Sequence, residues 1–332
     1  MLLKAGITER GAIFLGKYVA CDAFDETRPL RIVTHAHSDH MLGLRQSLLQ
    51  CESLVMTPAT KDLIDVLVGP LFLMMGNVKS LDYDEPLDFR DETLELRYAD
   101  HILGAAQVLV KDAEGTRILY TSDFRIRDTP VIEADVIVIE ATYGNPSRVR
   151  KFDENIKDLF VSLVETGLKQ GSVFIFSYHG KLQETMQILH EAGIKVPFVM
   201  PEKIFHISKI CERYGMRLGR FLLSTTEQGK AVLNDGGPCV AFYHMGSRKC
   251  VGEDAFRVCV SGWEFGSACK QIGEKEYVLA LSDHSDFNGL LQYVEESKPK
   301  LVITDNFRAG NAETLAQEIQ KRLGIRSLSL PC

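Results

Sequence analysis

Residues 34–40 read THAHSDH, placing His35, His37, Asp39 and His40 within a few positions directly after the apolar run LRIV at residues 30–33. An imidazole cluster this dense is costly to bury without ligands or hydrogen-bond partners, and a solvated loop gains nothing from it. If LRIV is a strand, His35 and His37 point to one side of its end, while Asp39 and His40 follow in a turn and approach from another direction. One short loop can then offer ligands to two neighbouring cations. Zinc takes imidazole nitrogen and carboxylate oxygen, usually four donors in all, and a catalytic site keeps one position for water. Further ligands must come from elsewhere in the chain.

Three residues that close strand-like runs supply them: His101 in YADHILGAAQV, Asp123 in LYTSDF and His284 in LALSDHSD. The count then works, with His35, His37 and His101 for one metal, Asp39, His40 and His284 for the other, and Asp123 bridging. Two cations about 3.5–4 Å apart are the usual device for attacking a phosphodiester or a strained acyl group.

The rest of the composition sets bounds. The chain has 332 residues, 45% of them hydrophobic, enough for one large or two ordinary folded domains. There is no long apolar stretch after a basic region and no run of eighteen uncharged apolar residues, so the expectation is a cytoplasmic protein with neither signal peptide nor membrane span. The eight cysteines include no CxxC pair, and several lie in apolar runs such as RVCVSGW, which reads as buried thiols in a reducing compartment. A net charge of −7 argues against a protein that coats nucleic acid non-specifically, so any contact with phosphates must be local.

Strand-like runs dominate the first half: LGKYVACDAF, LRIVTH, LVMT, LELRYA, AQVLVK, RILYTSDF and DVIVIEATYG. Helices are expected at MLGLRQSLLQ and after Thr57, where Thr57 as cap and Pro58 in the first turn make a good start signal. Beyond NPSRVRKF, strands and helices alternate through SVFIFSY, KLQETMQILHEAG and VPFVMP, a pattern of a small parallel sheet. The expected division is 1–145 with 263–332 as one domain and 146–262 as a second domain inserted into it.

THAHSDH matches the HxHxDH motif of the metallo-β-lactamase superfamily, and CDAF before it and ADHILGAAQ, YTSDFR and SDHSD after it fall in the order of that fold's remaining motifs. IEATYGNP resembles the acidic motif, and SDHSD the histidine motif, that flank the inserted domain of the β-CASP nucleases. The resemblance spans about Asp22 to Asn306. It implies an α/β fold, a metallo-β-lactamase αββα sandwich interrupted by a small α/β β-CASP domain, with substrate in a cleft between the two. It also implies two divalent metal ions, Zn2+ first, with Mn2+ or Fe accepted by the same donors.

CDAF, the SxGK-like FSYHGKLQE and SGW resemble the branch containing Artemis, the crosslink-repair exonucleases and the ligase-associated DNA exonucleases. The resemblance therefore implies a DNA-repair nuclease, a 5′ to 3′ exonuclease on single-stranded DNA. RNA is the second substrate, as for a β-CASP ribonuclease, and a small-molecule acyl or thioester hydrolase is a rival on the same metal core. A non-catalytic nucleic-acid binder is a third reading, disfavoured because all seven ligand candidates are present. A homodimer or a repair-complex partner is compatible with this reading. One residue departs from every one of these patterns: Asp305, in ITDNF, stands where the RNA branch and the ligase-associated enzymes have histidine and the Artemis branch has valine. It is expected either to orient a ligand histidine or to assist proton transfer.

Around this core Asp22 is expected to brace the ligand loop, and Glu140 to orient a histidine or the reacting water. Ser177, His179 and Lys181 are candidates for a terminal-phosphate pocket, with Gly180 as a backbone donor. Arg125, Arg127, Arg148, Arg150 and Lys151 gather near the active-site loops as a candidate single-strand channel, and Tyr143, Tyr178 and Trp263 are candidates for base stacking.

Overall fold

The computed structural model describes residues 4–69, 76–152, 155–234 and 237–332. It divides into two compact α/β units, Met1–Val149 together with His284–Cys332, and Arg150–Asp283. Among the described residues no helix is long and apolar enough to cross a membrane.

The first unit holds two sheets. One runs in the order Ala5–Ile7, Ile13–Leu15, Val19–Cys21, Leu30–Ile32, Ser53–Met56 and Val78–Ser80, parallel from Val19–Cys21 onward. The other runs Ser327–Leu330, Leu301–Asp305, Val136–Ile139, Arg117–Tyr120, Ala106–Lys111, Glu92–Tyr98 and Pro86–Phe89. Its first four strands are mutually parallel and the remaining pairs antiparallel.

The alternation in ETLELRY turns Leu94 and Leu96 toward the opposite sheet, where they join Ile13, Leu15, Leu30 and Ile32 in a common core. Val136–Ile139 is buried on both faces, as its uniformly apolar sequence requires. Helix Ala312–Leu323 turns Leu315, Ala316 and Ile319 inward and packs on Leu301–Asp305 and Ser327–Leu330. The helix expected after Thr57 is Pro58–Val68, and the Thr57 hydroxyl accepts the Thr60 N–H at 3.1 Å.

This sandwich brings one set of strand ends together. Asp22 follows Val19–Cys21, residues 33–40 follow Leu30–Ile32, His101 follows Glu92–Tyr98, Asp123 follows Arg117–Tyr120, Glu140 follows Val136–Ile139, and Asp305 ends Leu301–Asp305. In parallel sheets the carboxyl ends of neighbouring strands open at one edge, which is where such folds place ligands.

The second unit is built on a sheet ordered Phe221–Leu223, Phe198–Met200, Val240–His244, Val173–Ser177, Phe256–Val260, Glu276–Leu279 and Cys269–Gly273, parallel except at the last edge. Its boundary lies beyond the expected residue 262. Glu276–Leu279 pairs with Phe256–Val260 and Cys269–Gly273 pairs with Glu276–Leu279, so residues 263–283 complete this sheet instead of returning to the first unit. The helix expected to start in FDENIKDLF is Ile156–Leu168; Asp153 and Glu154 lie outside the described residues.

Leu96 is fully buried between the two sheets of the first unit. Leu96→Ala should destabilise the protein by about 2–5 kcal/mol in urea unfolding of the metal-free chain; a loss under about 1 kcal/mol would mean that the two sheets do not share a packed core.

Candidate metal centre

Four of the expected ligands converge: donor atoms of His35, His37, His101 and Asp123 lie within 4.8 Å of one another. His37 Nδ1 stands 3.2 Å from His35 Nε2 and 3.1 Å from His101 Nε2. Both Nε2 atoms lie 3.7 Å from Asp123 Oδ2. For zinc bonds of about 2.0–2.1 Å, the edge of a tetrahedron is about 3.3 Å, so these spacings fit donors around one cation.

A second group shares the same carboxylate. His40 Nε2 is 3.2 Å from Asp123 Oδ2 and 3.6 Å from Asp39 Oδ2. His40 is fully buried, and its Nε2 has no hydrogen-bond partner among the described residues. Facing two carboxylates, this buried nitrogen holds a proton in the metal-free protein, and a divalent cation would take that proton's place. Asp123, Glu140 and His284 also bring donor atoms within 4.8 Å of one another.

The partners of the other ring nitrogens fix which atom each histidine presents. His40 Nδ1 faces Asp22 Oδ2 at 2.7 Å, and His284 Nδ1 faces Glu140 Oε2 at 2.9 Å. His35 Nδ1 lies 3.1 Å from the Thr34 hydroxyl and 3.2 Å from that of Ser122. A proton on each Nδ1 satisfies these acceptors and leaves Nε2 bare for a metal. Glu140 therefore stands behind His284, and its other oxygen accepts the Phe124 N–H at 2.9 Å.

Asp22 is buried, at a φ of 63°, and besides His40 it accepts the Thr34 N–H at 2.9 Å. Ser122, beside Asp123, has a φ of 55°. Non-glycine residues in this left-handed region cost roughly 1–3 kcal/mol each and persist where the surroundings enforce them.

The charges are mutually adjusted. Burial disfavours an ionised Asp123, but His40, His284 and His101 outweigh it and hold its carboxyl well below the usual range. Burial likewise opposes a charged His40, yet Asp123 and Asp22 raise its pKa to about 10 without metal. His35 goes the other way, its pKa pushed well down by burial and by its neighbouring histidines.

Several supports escaped the sequence reading. Arg31 is fully buried, makes no ion pair among the described residues, and donates to the carbonyls of Ile32 at 3.0 Å and of His40 and Leu42 at 3.3 Å. A charge inside the apolar run LRIV was the available signal. Thr57 and Thr60 hydroxyls hold the Gly104 carbonyl at 2.8 and 2.9 Å, steadying the turn after His101. Gly104 has a φ of +83°, and a Cβ there would meet the Thr60 nitrogen at 2.6 Å.

Other expectations are corrected. Arg125 is not open to phosphate: its guanidinium meets both Asp100 oxygens, at 2.7 and 3.0 Å, which ties the His101 turn to the Asp123 loop. Arg150 is buried, donates to the Gly262 carbonyl and lies over the Phe265 ring. Tyr143 is 1% exposed and packs edge-on against His284, so it offers no face for a base. Asp305 has its carboxylate engaged by the Phe307 and Arg308 N–H groups and the Arg308 guanidinium, so it holds an arginine in place of a ligand histidine.

In the second unit the expected phosphate donors are also in use. Ser177 is fully buried and donates to the Val260 carbonyl at 3.0 Å, and the Gly180 N–H donates to Gln183 Oε1 at 2.8 Å. Lys181 pairs with Asp283 at 2.8 Å, while His179 is half-buried. Tyr178 and Trp263 are each about half exposed, and the Tyr178 ring meets His244 edge-on at 5.0 Å.

Because the His40 ring is protonated without metal, a cation entering there must displace a proton. Zinc titration of the metal-free chain near pH 7 should therefore release protons and weaken as pH falls; pH-independent uptake without proton release would contradict the assignment. Glu140→Gln, which weakens the hold on His284, should lower metal affinity on the order of 10–100-fold, and unchanged affinity would remove Glu140 from the site.

No family model matches the chain. It is 38% identical over 138 residues to an uncharacterised protein of the lig 3′ region of Acidianus ambivalens, covering 41% of this chain and 99% of that one. It is 26% identical over 324 residues to a probable DNA ligase of Opitutus terrae, covering 89% of this chain but only 29% of that protein. An RNase J-like protein of Methanocaldococcus jannaschii is 25% identical over 361 residues, covering 89% and 85% of the two chains. A crystal structure of a protein of unknown function from Enterococcus faecalis shares the fold, with a TM-score of 0.61, 12% identity and coverage of 93% and 81%. The ordered motifs, the histidine and aspartate cluster they form, and these relatives together say that the chain belongs to the β-CASP family of the metallo-β-lactamase superfamily.

Proposed function

We propose that the chain is a metal-dependent nuclease that hydrolyses phosphodiesters, acting first on single-stranded DNA as a 5′ to 3′ exonuclease in DNA repair. The observation that carries the reading is the convergence of two donor groups on one buried carboxylate, Asp123. His35, His37 and His101 would hold one divalent cation, Asp39, His40 and His284 the other, with Zn2+ the first choice for this donor set. Bound there, the pair would polarise a phosphoryl group and lower the pKa of a nearby water.

The protein's own residues do the rest. Asp22 and Glu140 keep the Nε2 atoms of His40 and His284 aimed inward, and Asp123 remains ionised in a dry environment through its histidine neighbours. Tyr178 and Trp263, half exposed, are the surfaces on which unpaired bases would stack. Lys181 would read a terminal phosphate by exchanging Asp283 for it.

DNA is placed first because the Opitutus terrae relative, matched over 89% of this chain, is named a probable DNA ligase. RNA is the second reading because the Methanocaldococcus jannaschii relative is named RNase J-like. Matched, end-labelled DNA and RNA strands with 5′-phosphate or 5′-hydroxyl ends separate the two. The expected result is stepwise loss of 5′-phosphorylated DNA, abolished by Asp39→Ala combined with His40→Ala. Preferred RNA cleavage would move the chain to the second reading, equal cutting of both 5′ ends would remove the polarity, and no cutting by metal-loaded protein would overturn the nuclease.

A further inference from the structure

Asp39 has little to hold it. Its side chain is 57% exposed, and it belongs to a single turn of 3-10 helix, Ser38–His40. What fixes this turn is its backbone. Arg31 donates to the His40 and Leu42 carbonyls, and Arg308 Nη2 donates to the Asp39 carbonyl at 3.1 Å. The other arm of the same guanidinium, Nη1, meets Asp305 Oδ2 at 2.7 Å. Asp305 is 2% exposed and the Arg308 side chain 8%, so the pair is anchored in the protein interior.

We infer that Arg308, locked by Asp305, is a positioning residue that clamps the Asp39 turn and so sets the affinity of the cation position completed by Asp39 and His40. A planar fork is needed because one arm must hold Asp305 while the other reaches the carbonyl, which a lysine ammonium cannot reproduce. The carboxylate has a second effect. Paired with Asp305, the buried guanidinium is largely neutralised, whereas alone it would be an uncompensated positive charge beside a cation site. This gives the aspartate of ITDNF a task that neither a histidine nor a valine at that position could perform. The inference rests on the two-cation reading of the site.

The test uses the full chain and the variants Arg308→Met and Arg308→Lys. In metal-free protein, the amides of His40, Met41 and Leu42, which bond to the carbonyls of His37, Ser38 and Asp22, are followed by hydrogen exchange. Arg308→Met should speed their exchange on the order of tenfold, while strand Ser53–Met56 keeps its wild-type protection. Zinc titration should show one of two equivalents weakened by about tenfold or more, the size expected for a residue that orients a ligand. Arg308→Lys should fall between Met and wild type in both readings. Wild-type exchange of these amides, or two wild-type zinc equivalents, in Arg308→Met would overturn the inference. If Arg308→Met does not fold, wild-type values in Arg308→Lys overturn it instead. The exchange experiment needs neither metal nor substrate, so failure of the nuclease reading and failure of the clamp are separable.

Discussion

Ring nitrogens of three histidines, His35, His40 and His101, stand within 3.7 Å of the buried Asp123 carboxylate. Burial resists ionisation both of the carboxylate and of the His40 ring. The arrangement is tolerable because opposite charges are interleaved and because the backs of the imidazoles are hydrogen-bonded to Asp22, Glu140, Thr34 and Ser122. A divalent cation relieves what remains. The geometry could hold a metal ion, and without one the sandwich beneath it keeps these groups together.

The fold does so by using one edge of two parallel stretches of sheet. Asp123, Glu140 and Asp305 leave three adjacent parallel strands in the second sheet, and Asp22, the histidine loop and Thr57 leave three adjacent parallel strands in the first. Each loop is then tied to a neighbour: Asp22 to Thr34 and His40, Arg125 to Asp100, Arg308 to both Asp305 and Asp39. The positive φ values of Asp22 and Ser122 belong to the same economy, since local backbone strain is held where ligands must be aimed.

Much of this was legible in the sequence because the strands that carry ligands are apolar on both faces or strictly alternating, and each ends at a polar residue. DVIVIEATYG, AQVLVK and LELRYA read as the strands they form, and THAHSDH supplies His35 and His37, which meet His101 and Asp123. The short strands Ala5–Ile7 and Ile13–Leu15 carry too little pattern to be recognised alone. The boundary after residue 262 was misplaced because EYVL is indistinguishable by pattern from a strand of either unit, and only its pairing with Phe256–Val260 decides. Charge alone does not tell an arginine's role, and partner geometry does: Arg125 pairs with Asp100 and Arg150 is buried on the Gly262 carbonyl, whereas Arg31 and Arg308 donate to the carbonyls of the 39–42 turn. No spacing rule reveals a side chain that acts on a distant backbone oxygen.

The central claim is that Asp123 lies between two cation positions. A crystal structure of the zinc-loaded protein with anomalous data at the zinc edge tests it directly. The account predicts two peaks about 3.5–4 Å apart on either side of the Asp123 carboxylate, one ringed by His35, His37 and His101, the other reached by Asp39, His40 and His284. A single peak, or zinc bound away from Asp123, would contradict it.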